Sequence, residues 1–188
     1  TLHGTDITVL GIDMSLKKII RFGIEQSDAV TAVSKSLVNQ TKEMLHIEKD
    51  IEVVYNFVNE KEYFKQERNT IREKYNLAPE EKLIIHISNF RKVKRLEDVV
   101  KTFQRIHQEV PSRLLLVGDG PEHGRILELV RELKLEKVTH FSGKQKNIPE
   151  LLSAADLKLL LSEKESFGLV LLEAMACGIP CIGSNVGG

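Results

Sequence analysis

This sequence carries no net charge, since Lys plus Arg number 27 and Asp plus Glu number 27. A balanced chain has no global field to draw it onto nucleic acid or an anionic membrane, so any phosphate it binds must be held locally. Cysteine is scarce. Cys177 and Cys181 stand around Gly178 and Pro180 with no histidine or second pair nearby to complete a zinc set. Both read as small core residues, and a reducing cytoplasm fits their usage. No signal peptide opens the chain, and no apolar run approaches the ~18 residues that a membrane span needs. Internal repeats and low-complexity tracts are missing too. There is no initiator Met, and the chain stops at Val186-Gly187-Gly188 directly after a strand-like segment, where a further helix would normally pack. A fragment is therefore expected.

What is present is ordinary for a folded soluble chain. Hydrophobic residues make up 41% and charged residues 29% of 188 residues, enough for one large domain, or one domain plus a piece of another. From Lys82 onward, short continuous apolar runs alternate with longer runs of helical spacing, the mark of a parallel sheet with crossover helices. Strands are expected at Leu83–Ser88, Arg113–Val117, Val138–Phe141, Leu157–Leu161 and Cys181–Gly183. The clearest helix puts Val99, Val100, Phe103 and Ile106 on one face and Asp98, Lys101, Arg105 and Gln108 on the other. Others are expected over Glu122–Leu133, Ile148–Ala154 and Gly168–Cys177. Fully buried parallel strands have no alternating polar face, which accounts for Leu114-Leu115-Leu116-Val117.

The first eighty residues follow another rhythm: helix Ser15–Ile24, strand Ala29–Val33, helix Ser34–Leu45 and strand Glu52–Tyr55, then a polar stretch in which Glu67–Lys74 reads as a short helix. We place residues 1–58 in one domain, 59–81 in a linker and 82–188 in a second, doubly wound α/β domain.

In an open parallel sheet, ligands bind beyond the carboxyl ends of the strands. After the first strand of the second domain comes Ser88-Asn89-Phe90-Arg91-Lys92-Val93-Lys94-Arg95, a cluster of cations just before a helix start. The helix dipole disfavours cations there, so either an external anion such as a phosphate offsets them or the turn is simply solvated. Gly118-Asp119-Gly120-Pro121 follows the second strand; its glycines admit close backbone approach by a ligand, or merely a tight turn. After the fourth strand comes Ser162 through Gly178, with a helix expected to begin near Phe167 or Gly168. The free N–H groups of its first turn form an anion site. Glu165 precedes that turn and Glu173 lies further along, so their carboxylates can accept paired hydrogen bonds from vicinal hydroxyls. Glu165 alone could be a helix-start acid, but Glu173 sits among Leu171, Leu172, Ala174 and Met175 and needs a partner.

These residues together resemble the retaining glycosyltransferases of family four, which have the GT-B architecture of two facing Rossmann-like domains. The resemblance rests on ESFGLVLLEAMACG with its Glu165-x7-Glu173, on GDGP, on the FSG at Phe141 to Gly143 and on PCIGSNVGG, and it covers the whole chain. It implies a C-terminal donor domain, truncated at its end, plus part of an N-terminal acceptor domain. Glu165, Phe167 and Gly168 would then hold the donor sugar. Glu173 would take the ribose of a uridine diphosphate, and the backbone at Gly168, Leu169 and Val170 its phosphates. Lys94 matches the family's diphosphate lysine. The companion arginine is replaced by Asn89, and Arg91 can supply the missing charge. His3 falls where the family has a histidine facing the donor sugar, so His3, Glu165 and Lys94 are the residues expected to act in catalysis.

A narrower resemblance, carried by TLHGTDIT, VYNFVNE, SNFRKVKR and LLLSEKESFGLVLLEAMACGIPCIG, is to the group that moves N-acetylglucosamine from UDP-N-acetylglucosamine to L-malate at the start of bacillithiol biosynthesis. Thr1 and His3 would lie at the edge of its acceptor site. The resemblance implies a cytoplasmic enzyme without metal or cofactor, the UDP-sugar being a substrate, and without nucleic acid or membrane partners; it leaves a homo-oligomer open. Other acceptors, an epimerase or hydrolase of UDP-N-acetylglucosamine, and a nucleotide-sugar binding module without catalysis are the competing readings.

Overall fold

A computed structural model describes residues 1–4, 7 and 14–188. Thr5, Asp6 and Thr8 of TLHGTDIT lie outside the described residues. The chain forms two compact units. One comprises Thr1–Phe57, Lys164–Leu169 and Val186–Gly188; the other comprises Val58–Glu163 and Val170–Asn185.

In the first unit, helix α1 (Met14–Gln26) leads to strand β1 (Thr31–Ala32), helix α2 (Lys35–Leu45) and strand β2 (Glu52–Val53). β1 and β2 pair in parallel, and Leu2 bridges to Ala32 on the other side. The strands are shorter than the expected Ala29–Val33 and Glu52–Tyr55. Their flanking groups still bond, Val54 N–H to Ala32 O at 3.0 Å and Val33 N–H to Leu2 O at 3.3 Å, but the regular ladder between β1 and β2 covers only two residues of each. Ser34 caps α2, its hydroxyl accepting from Leu37 N–H. His46 ends it in a left-handed conformation. Leu2, Ile7, Val30, Ala32, Leu37, Leu45 and their neighbours form this unit's own core.

The second unit starts with a short helix, α3 (Asn69–Lys74), which lies within the expected Glu67–Lys74. It continues with strand β3 (Lys82–Ile87), a 3-10 turn (Lys92–Lys94), helix α4 (Leu96–Glu109), strand β4 (Ser112–Val117), helix α5 (His123–Glu132), strand β5 (Thr139–Gly143), helix α6 (Ile148–Ala154), strand β6 (Leu157–Leu160), helix α7 (Leu169–Ala176) and strand β7 (Cys181–Gly183). The strands form one parallel sheet in the order β5-β4-β3-β6-β7. Side chains alternate across it. Leu83, Ile85, Leu115 and Val117 face α6 and α7 with Leu151, Leu152, Ala174 and Cys177, while Ile84, Leu114, Leu116 and Leu159 face α4 and α5 with Val99, Val100, Phe103, Ile126 and Val130. Each such fully buried Val, Leu, Ile or Phe contributes about 1.5–3 kcal/mol of transfer free energy, which is why these strands read as unbroken apolar runs.

At the amino end of the sheet, Asp156 accepts from Leu83 N–H at 2.8 Å and from Arg72 at 3.1 Å, and so fastens α3 to β3 and β6. The carboxyl end matters more for function. β3 and β6 are neighbours, yet the chain runs from β3 outward to β4 and β5 on one side and from β6 to β7 on the other. The strand order thus reverses between β3 and β6, the place where sheets of this kind bind ligands.

Candidate functional site

The crevice of the second unit is built first from the loop after β3. Ser88 N–H bonds to Val117 O at 3.1 Å, Phe90 N–H to Asp119 O at 3.0 Å and Glu122 N–H to Phe90 O at 2.9 Å, so the loop lies against Gly118–Pro121. Gly118 has φ +126, and a Cβ there would stand 1.8 Å from Ser88 O; one on Gly120 would stand 2.7 Å from Phe90 O. The close approach that these glycines permit is met here by the protein's own backbone, as the tight-turn alternative requires.

Beyond Phe90 the chain turns through Arg91 into the 3-10 segment, and Arg95, at φ 47, hands over to α4. Arg95 pairs with Asp98 at 2.5 Å, and Glu97 shares the first turn of α4. The helix therefore supplies acids of its own, and Arg95 needs no external anion. Arg91 and Lys92 are exposed and Lys94 is half-buried. Glu163 N–H donates to Val93 O at 2.8 Å and so ties the loop after β6 to the Lys94 turn across the crevice.

Underneath lies a residue that the sequence reading passed over. His86 is fully buried in β3; its Nδ1 lies 3.0 Å from Leu159 O and its Nε2 2.8 Å from the Ser88 hydroxyl. A carbonyl can only accept, so Nδ1 carries the proton and Nε2 accepts from Ser88. Burial, helped by the charges of Lys158 and Lys94, pushes the imidazole down to about 3 and keeps it neutral. Ser88 thus spends its proton inward on His86. The available signal was a histidine inside an otherwise apolar strand.

α7 begins at Leu169 rather than at Phe167 or Gly168, because Gly168 sits at φ +77, a conformation that no right-handed helix accommodates. Glu173 follows one turn later, half-buried. The Tyr63 phenol is a neighbour of its carboxylate. Burial pushes the Glu173 carboxyl up, while Tyr63 and the buried Lys158 of β6 oppose the rise. Burial and the Glu173 charge push the Tyr63 phenol up to about 12, so at neutral pH it is a donor.

The first unit holds the remaining residues. Ser34 donates to Ser166 O at 2.6 Å, Gly188 N–H to Glu165 O at 3.2 Å, and the Phe167 ring lies 6.2 Å from that of Tyr55. Gly4 passes so close that a Cβ on it would stand 1.7 Å from the Ser166 hydroxyl oxygen. The strand end carrying His3 is thus seated beside the Glu165–Ser166 backbone. Thr1 is exposed, its hydroxyl 2.7 Å from that of Thr31. In short, Thr1, His3, Glu165, Phe167, Gly168 and Leu169 gather in one unit, and Asn89, Arg91, Lys94, Val170 and Glu173 in the other. Cys177 is buried behind α7, while Cys181 is half-buried, its thiol 3.4 Å from Ile179 O.

Comparison with known proteins follows the same lines. The profile of the family "Glycosyl transferases group 1" matches residues 67–188. N-acetyl-alpha-D-glucosaminyl L-malate synthase of Bacillus anthracis is 62% identical over 188 residues, which is 100% of this chain and 49% of that protein. The chain therefore spans about half the length of that relative. Among solved structures, sucrose-phosphate synthase of Thermosynechococcus elongatus superimposes with a TM-score of 0.83 at 28% identity, covering 94% of this chain and 45% of the other. Anabaena HepE, solved in complex with UDP and glucose, superimposes with a TM-score of 0.85 at 24% identity, covering 100% of this chain and 52% of the other. These neighbours bear out the α/β, GT-B type fold.

Proposed function

The chain belongs to the group 1 glycosyl transferases, and we propose that it forms the greater part of the donor-binding half of a retaining enzyme that moves N-acetylglucosamine from UDP-N-acetylglucosamine to L-malate, the first step of bacillithiol biosynthesis. The observation that carries this reading is the 62% identity, over the whole chain, to the L-malate synthase of B. anthracis. The crevice at the carboxyl ends of β3 and β6 supports it from the physical side. The cysteine usage supports a cytoplasmic setting.

On this reading the residues divide the work by chemistry. Glu165, with the backbone at Phe167 and Gly168, holds hydroxyls of the sugar, and Glu173 those of the ribose. Asn89 and Arg91 flank the diphosphate. The bond between the anomeric carbon and the diphosphate oxygen breaks as the malate hydroxyl oxygen bonds to that carbon from the same face, and the hydroxyl proton passes to the departing oxygen. Lys94, Arg91 and the N–H groups of Leu169 and Val170 at the start of α7 stabilise the charge that gathers there. His3 faces the donor sugar, with Thr1 at the acceptor's edge.

In an enzyme of full family length, Lys94→Ala should lower kcat roughly a hundredfold, the usual loss for one donor to a developing charge, and Glu165→Ala about as much, because the sugar is no longer held in position for attack. Steady-state assay of malate-dependent UDP release checks this. Wild-type turnover in Glu165→Ala would refute the assignment.

A further inference from the structure

The Glu165–Ser166 backbone is gripped from three directions within the first unit. Glu165 O accepts from Gly188 N–H at 3.2 Å, and a Cβ on Gly187 would stand 1.7 Å from that same oxygen. The close approach of Gly4 to the Ser166 hydroxyl closes a second side, so only glycine fits at either place. The third contact is a side chain. Ser34 is buried, 3% exposed, and its hydroxyl accepts from Leu37 N–H at 3.2 Å while it donates to Ser166 O at 2.6 Å. A carbonyl can only accept, so the single proton of Ser34 is committed to Ser166. We infer that Ser34 is a positioning residue for the donor sugar: it fixes the Ser166 peptide and with it the adjoining Glu165, whose carboxylate is thereby held where it meets the sugar hydroxyls.

Capping α2 does not by itself account for this hydroxyl. A cap needs only an acceptor, and an aspartate there would cap as well yet have no proton to give to Ser166. Ser34 does both at once, and the bond it accepts from Leu37 N–H strengthens the one it donates. The chain is also packed closely around it, since a Cβ on Gly188 would stand 2.4 Å from Ser34 Oγ. Glu165 lies in the loop between β6 and α7, where no ladder or helix fixes the backbone. A group that must orient a sugar from such a loop depends on supporting contacts, because small misplacements are costly in rate. α2 is the rigid element from which that support comes, and Ser34 is the atom-to-atom link to it.

The inference rests on the reading of Glu165 as a ligand of the sugar, and a double-mutant cycle separates the two. Full-length wild type, Ser34→Ala, Ser34→Gly, Glu165→Ala and the double variant Ser34→Ala/Glu165→Ala are assayed with UDP-N-acetylglucosamine and L-malate. Turnover is expressed per UDP-binding site, counted by calorimetric titration with UDP, so that a smaller folded fraction does not lower it. Glycine at a cap weakens a helix far less than alanine does, so Ser34→Gly removes the hydroxyl with little harm to α2. Both Ser34 variants should lower kcat about five- to tenfold, the worth of one hydrogen bond. The affinity for UDP, which has no sugar, should stay at the wild-type value, and in the Glu165→Ala background the loss of Ser34 should lower kcat no further. If Ser34→Gly keeps wild-type kcat, if the two losses multiply, or if UDP binding weakens, Ser34 acts only as a cap or by another route and the inference falls, with the sugar reading intact. Wild-type turnover in Glu165→Ala overturns both.

Discussion

At His86 the sheet interior meets the ligand edge. The imidazole is neutral in the fold, at about 3 against an ordinary 6.5, so between those values the unfolded chain binds a proton that the folded chain refuses. Stability from this residue is complete above about pH 6.5 and is lost as pH falls towards 3, with a slope of at most about 1.4 kcal/mol per pH unit. Urea unfolding followed from neutral pH to about pH 4 should show the advantage of wild type over His86→Gln shrinking as the solution is acidified. A constant difference would mean that the imidazole is not buried neutral. Glu173 illustrates what was and was not legible at this scale. Its need for a partner follows from four apolar neighbours in sequence, but Tyr63 comes from a distant polar stretch, and only the folded chain brings the two together.

Among the elements, the strands of the second unit were readable to within a residue or two, because a strand buried on both faces leaves a continuous apolar run such as Leu83–Ile85. Helix starts were readable to the same margin. α7 was expected one or two residues early, since the left-handed Gly168 looks like any glycine in the sequence. The Gly118–Pro121 turn stands open in the sequence between ligand and tight turn, and the fold shows the close approach of Ser88 O that the turn needs at Gly118. Gly118→Ala should therefore destabilise the chain by about 2 kcal/mol or more, through both the positive φ and the clash. It should also raise the KM for the donor, since Asn89 and Lys94 sit on the displaced loop. An unchanged urea midpoint for this variant would show that the two loops separate without cost.

For the whole molecule, the order of elements was enough to read a doubly wound sheet, and the β5-β4-β3-β6-β7 arrangement puts the functional loops at its switch point. Chain order alone assigns residues 82–188 to one domain. The compact units instead group Lys164–Leu169 and Val186–Gly188 with Thr1–Phe57, so the segment carrying Glu165 shares a unit with His3. Such grouping depends on contacts like Ser34 with Ser166, between residues far apart in the chain, for which local patterns hold no signal. The central claim, retaining transfer to malate, is tested most directly by the proton NMR spectrum of the product that the full-length enzyme makes from UDP-N-acetylglucosamine and L-malate. The account predicts an α-linked N-acetylglucosaminyl malate, with UDP released only when malate is present; a β-linked product, an epimerised sugar or free N-acetylglucosamine would contradict it.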